Sequence, residues 1–237
     1  MGKLLDCELM KIKHTFLQIL ILVSLIGSIA MITVIYVIND NKAFFEIVKS
    51  NSVFVQIIPF AITVIFGCYI VAREYKEDMI IYLEITPQSQ VKIMLSKFIV
   101  IFLELCLTQI LTFFILFIVN TVIDGYDIDL LLKYMKVGLI SAGTLSCLVP
   151  LMIFISLLRR SFSSASLIFL VIFMLTFPYI FSENGYIFPH LLPMIMVAKF
   201  FGSSSYYKIS YGLGALILIA LAAIFLFLSV VKTKKKE

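Results

Sequence analysis

Six stretches of this chain are long and apolar enough to cross a membrane, and they decide what it can fold into. A spanning helix needs about 20 mostly apolar residues. The stretches 16–38, 53–72, 98–120, 134–158, 164–181 and 209–231 fit that demand. Hydrophobic residues make up 62% of the chain and charged residues 14%, against roughly 45–50% and 25% in soluble domains. A water-soluble fold has nowhere to bury so much apolar surface. The expected fold class is therefore all-α: one polytopic membrane domain over residues 1–237, with six transmembrane helices. The first run is too long for the apolar part of a cleavable signal and reads as a retained anchor.

Orientation follows from the basic residues. The flanks holding Lys3, Lys11, Lys13, Arg73, Lys76, Lys92, Lys97, Arg159, Arg160 and the tail Lys232, Lys234, Lys235, Lys236 carry thirteen of the 19 Lys and Arg. The opposite flanks carry Lys42, Lys49, Lys133, Lys136, Lys199 and Lys208. The richer side is expected in the cytoplasm, which places both termini there and the acidic loop Asp124, Asp127, Asp129 outside. The basic tail reads as a lipid-headgroup anchor, not a nucleic-acid patch. The chain has no Trp but 22 Phe, and much Ile, Lys and Asn. That composition suits an A+T-rich bacterial genome and hence a bacterial plasma membrane.

Three pieces outside the spans are informative. In residues 3–14, Leu5, Leu9 and Ile12 recur at helical spacing up to Phe16, and Lys3, Asp6, Lys11, Lys13 and His14 take the remainder. This predicts an interfacial amphipathic elbow helix. Residues 73–97 form the longest charged cytoplasmic segment, yet 79–85 are apolar apart from Glu84. A short helix, a turn at Thr86-Pro87-Gln88-Ser89 and a run into the third span are expected, with protein or membrane covering the apolar residues. Residues 182–207, with Pro189 and Pro193 among many apolar side chains, are too short and broken to span. They predict an outer re-entrant or interfacial hairpin, because irregular backbone at membrane depth must lie against protein or water.

Little here resembles an active site. His14 and His190 fall on opposite sides of the membrane, no two carboxylates share a span, and HExxH and GxSxG are missing. The four cysteines, Cys7, Cys68, Cys106 and Cys147, form no CxxC pair and read as buried or lipid-facing thiols. No metal site and no catalytic residue is expected. The only Gly-Lys pair is Gly2-Lys3, so there is no P-loop, and any ATP that drives this chain binds on another polypeptide. Glu104 is the single acid inside a span and the candidate intramembrane functional group. A stripe of small residues, Gly138, Ala142, Ser146 and Pro150, recurs every fourth position of the fourth span and predicts close helix packing. Gly212, Gly214, Ala215, Ala222 and Ala223 do so less regularly in the sixth, and Pro178 is expected to kink the fifth.

The stretch AREYKEDMIIYLEITPQSQVKIMLSK, residues 72–97, resembles the signature of type-2 ABC-transporter permeases. In that signature the second span runs into an acidic start, a short helix, a Pro-x-Ser turn and a lysine before the third span. Arg73, Glu74 and Tyr75 match the acidic start, Leu83 the apolar core of the helix, Pro87 and Ser89 the turn, and Lys97 the lysine. Asp78-Met79 stands where the family often has Gly-Thr, and Glu84 where it has an apolar residue. In size and layout the chain looks most like the permeases of lantibiotic-immunity and bacitracin-resistance transporters. The resemblance implies an ABC exporter permease with no cofactor of its own and an ATPase subunit dimer that binds ATP and Mg. It also implies a second permease copy or sister chain, and a coupling helix around 73–89 that docks on the ATPase. Two other readings stay open: a proton-coupled secondary carrier built on Glu104, and a non-transporting scaffold or sensor subunit.

Overall fold

The computed structural model describes residues 2–13, 15–39, 42–76, 89–182, 184–202 and 210–234. They form helices α1 (Gly2–Lys13), α2 (Leu17–Ile38), α3 (Phe44–Ser50), α4 (Ser52–Lys76), α5 (Gln90–Asp124), α6 (Ile128–Ser146), α7 (Val149–Arg159) and α8 (Phe162–Thr176). Three 3-10 turns follow, at Phe177–Phe181, Gly185–Ile187 and Pro189–Leu191, then α9 (Leu192–Phe201) and α10 (Tyr211–Lys234). Six candidate spans result: Leu17–Ile38, Ser52–Lys76, Val91–Asp124, Ile128–Arg159, Phe162–Phe181 and Tyr211–Lys232. The all-helical, six-span reading of the sequence holds.

Span two is the hub. It packs against α2, α7, α8 and α9, and 67% of it is buried in the protein, as is 61% of span four. Spans one, five and six are only 17%, 28% and 22% buried, so they form the outer wall. Their outward side chains, such as Ile19, Leu22 and Ile26 on span one and Leu216 and Ile219 on span six, are what a lipid-facing surface requires. Several hydroxyls inside the spans bond back to their own helix. Ser28 donates to the Ser24 carbonyl, Thr63 to Pro59, Thr108 to Glu104 and Thr112 to Thr108. This spares a hydroxyl the cost of standing unpaired in hydrocarbon.

Several boundaries differ from those the sequence suggests. Span two continues to Lys76, so Arg73, Glu74 and Tyr75 form its last turn and do not open a separate segment. Span three begins at Gln90, merging the expected stretch 91–95 with the span in one helix of 35 residues. The fourth span is two helices, because the backbone turns at Cys147 and Leu148 and restarts with Pro150 in the first turn of α7. A proline has no N–H to give to an i−4 carbonyl, so a fresh start there leaves fewer groups unbonded than an unbroken helix. The fifth span ends at Thr176 in a tightened 3-10 turn that contains Pro178.

The stretch between spans five and six is held by protein. Residues 192–198 of α9 and Phe201 are all buried, packed chiefly against α4 and α6. Gly185 is required for this: a Cβ there would lie 2.5 Å from the Tyr179 carbonyl oxygen. Gly202, at φ +90, ends α9, its N–H bonding back to the carbonyls of Ala198 and Lys199.

Candidate functional site

The sequence points to the end of span two and the start of span three, and there the structure gathers four ionisable side chains from three helices. Glu8 and Lys11 lie one turn apart on α1, Glu74 is in the last turn of α4, and Lys97 is two turns into α5. Lys11 Nζ is 2.8 Å from Glu8 Oε1 and 3.0 Å from Glu74 Oε1. Lys97 Nζ is 3.3 Å from Glu8 Oε1 and also pairs with Glu74 Oε1. The Lys97 side chain is wholly buried and those of both glutamates are 7% exposed. Arg73 adds a hydrogen bond from Nη1 to the Lys11 carbonyl at 2.9 Å. Two carboxylates and two ammonium groups balance, so the burial is tolerable only while all four remain together.

This arrangement corrects the expected elbow. Helix α1 does place Leu9 and Met10 outward, exposed, as a membrane-facing side would. Its opposite side is not solvated, however. Glu8 is buried, and Lys11 is turned against spans two and three. The sequence reading missed Glu8 altogether. The only local signal was the three-residue spacing of Glu8 and Lys11, a common surface pairing.

Burial alone would raise the Glu8 carboxyl, but Lys97 and Lys11 outweigh it and hold it below the usual carboxylate range. Burial alone would likewise lower Lys11, but Glu74 and Glu8 outweigh it and hold it above the usual ammonium range. The stability that Glu8 contributes is present above the ordinary carboxylate pKa of about 4.3 and is lost as pH falls through its lower folded value. That of Lys11 is present below about 10.4 and is lost as pH rises through its higher folded value. Melting in detergent against pH is therefore expected to show a plateau that falls at both ends. The acid fall should shrink in Glu8→Gln; an unchanged acid limb in that variant would show that Glu8 does not carry it.

The remaining expected residues scatter. Leu83 and Pro87 lie outside the described residues. Ser89 is exposed, extended (φ −63, ψ 138), and precedes α5 without a side-chain cap bond. Tyr75 lies under the Arg160 guanidinium, 5.8 Å from its ring centre. Glu104 lies two turns beyond Lys97 along α5 and is half-buried. It lines a cavity of about 20 Å³ with Ser24, Thr63, Thr108 and Gln109. Gly138 faces span three, where a Cβ would meet Gln109 O, Ile110 Cα and Phe113 at 3.4 Å. Ala142, Ser146 and Pro150 are buried within the same chain. A polar layer that the sequence did not suggest crosses the bundle nearby: Ser141 Oγ is 2.8 Å from both Gln56 Oε1 and Gln109 Oε1.

Glu74, in the last turn of α4, and Lys97, two turns into α5, are joined by one buried ion pair. The family model for ABC-2 family transporter proteins matches residues 4–176, from the elbow helix to the end of α8. The chain belongs to the ABC-2 transporter family. It is accordingly a multi-pass membrane permease, the transport component of an ABC transporter, and the family implies an ABC ATPase subunit as its partner. No curated protein and no solved structure matches the chain.

Proposed function

We propose that this ABC-2 permease belongs to an ATP-driven exporter that clears an amphipathic peptide or lipophilic antimicrobial from a bacterial plasma membrane, giving self-immunity or resistance. Both termini are cytoplasmic in this reading, in line with the excess of Lys and Arg on their side. A dimer of ATPase subunits, carrying ATP and Mg, docks on residues 77–88, and a second permease copy or a sister chain completes the pathway. The observation that carries the mechanism is the Glu74–Lys97 pair, with Glu8 and Lys11 around it. A push on residues 77–88 reaches α4, α5 and α1 together, because one buried ionic cluster ties all three. Two-state movement of spans driven by ATPase closure needs such a rigid connection. The kind of substrate is supported by the resemblance in size and layout to immunity permeases.

Glu74 is held inside the bundle and is a poor probe of docking; Leu83 is the better one. Purified in mild detergent, the tagged wild-type chain is expected to retain a P-loop ATPase. Leu83→Asp should lose it while the membrane subunit remains monodisperse. A wild-type chain that arrives alone, where a control transporter keeps its ATPase, would refute the reading. The antimicrobial version fails separately if no membrane-active peptide stimulates hydrolysis by the intact assembly.

One observation favours a second reading, a proton-coupled carrier. Glu104 shares a small, mostly apolar cavity with Ser24, Thr63, Thr108 and Gln109, and an acid inside a span is a candidate for gaining and losing a proton. Transport abolished by an uncoupler, but indifferent to loss of the ATPase, would select it.

A further inference from the structure

A basic feature lies next to the ionic quartet and shares Arg73 with its surroundings. A cleft of about 610 Å³ opens between the last turns of α4 and the start of α8, lined by Tyr69, Arg73, Lys76, Arg160, Ser161 and Ser163 among others. Three of these are cations, and no acidic side chain lines the cleft among the described residues. The first turn of α8 faces it, and the hydroxyl of Ser161, the residue before that helix, makes no capping bond. Backbone N–H groups at a helix start favour an anion. The cleft also lies where span two ends, span four ends and span five begins, and the ends of spans are where lipid headgroups are met. Aromatic rings prefer that depth, and Tyr69, Tyr75 and Phe162 line the same cleft.

Arg160 supplies an independent observation. It is the residue that ends α7, and its φ of +52 is the one positive φ of a non-glycine residue among those described. Glycine is the ordinary occupant of that position, because other side chains are strained there. Arg160 is exposed, and its guanidinium stands over the Tyr75 ring at the edge of the cleft.

We propose that this cleft binds the phosphate headgroup of an anionic phospholipid, with Arg160, Lys76 and Arg73 neutralising the phosphate and Ser161, Ser163 and the α8 N-terminus donating to it. The site adjoins Lys76, the last described residue before segment 77–88, so lipid bound here bears on the same foot as the quartet. The proposal needs only the six spans and not the transport reading, and its failure would leave that reading untouched.

The test is native mass spectrometry of the full chain, titrated with phosphatidylglycerol or with phosphatidylcholine. Arg160→Gly and Ser163→Asp are the variants. Glycine suits the backbone at position 160, and an aspartate in the first turn of α8 suits the helix dipole, so both variants should fold at least as well as the wild type. The wild type is expected to retain phosphatidylglycerol in preference to phosphatidylcholine. Arg160→Gly should weaken that retention about fivefold, the effect of one basic side chain near a headgroup, and Ser163→Asp should weaken it further by repulsion. Equal retention of the two lipids, or an unchanged preference in both variants, overturns the proposal. Inorganic phosphate that displaces phosphatidylglycerol completely would assign the site to a soluble phosphate group, and would also overturn it.

Discussion

Lys97→Met is expected to destabilise the protein by about 3–5 kcal/mol, the usual penalty for leaving a buried charge without its partner. Methionine fills nearly the same space, so packing changes little. Glu74 and Glu8 are left to share one ammonium, Lys11, whose side chain is 28% exposed. Adding Glu74→Gln restores the balance of one carboxylate to one ammonium while keeping a polar group at position 74. The double variant should therefore melt well above the single one, although it carries one more substitution. Heating in detergent followed by size-exclusion chromatography reads both effects. If Lys97→Met survives the same temperature as the wild type, the quartet does not hold the foot together.

Gly67→Ala should destabilise by about 1–3 kcal/mol, the range for overfilled contacts. A Cβ on Gly67 would meet Met152 Cβ at 2.9 Å and its Sδ at 3.3 Å. The sulfur can swing away, but the Cβ is fixed to α7, so spans two and four must separate. Ser156 Oγ, bonded to the Cys68 carbonyl at 3.0 Å in the same contact, would move with them. Met152→Ala keeps the offending Cβ and should rescue Gly67→Ala only in part. Full rescue by Met152→Ala would place the clash on the thioether and show that the helices do not touch as closely as the geometry requires.

The spans were legible because a long run of apolar residues has one stable home and needs no knowledge of its neighbours. The break in span four was not, since Cys147 and Leu148 are as apolar as the helices they separate and hydropathy cannot register a turn between them. Pro150 was the one mark it left. The ends of spans two and three were drawn short at Ala72 and Phe98 because Arg73, Glu74 and Lys97 are charged and were assigned to water. Their charges are satisfied inside the protein, so the helices run on. The quartet joins residues from positions 8 to 97. That pairing is set by how α1 folds back on α5, which no local pattern encodes. The resemblance supplied Glu74 and Lys97 as landmarks, but neither their pairing nor Glu8 and Lys11 around them.

Helix α5 has 35 residues and contains neither proline nor glycine, the residues at which helices usually bend. At 1.5 Å per residue it is about 52 Å long, against a hydrocarbon core of about 30 Å. Its far end is tethered too, with Asp124 Oδ2 accepting the Phe45 N–H at 3.3 Å. Span four, by contrast, is interrupted by a turn at Cys147 and Leu148. Held near one end at Lys97 and at the other at Asp124, α5 is a strut between the two faces of the bundle. Load placed on one end of such a strut would be carried to the other, since no proline or glycine gives it a place to bend.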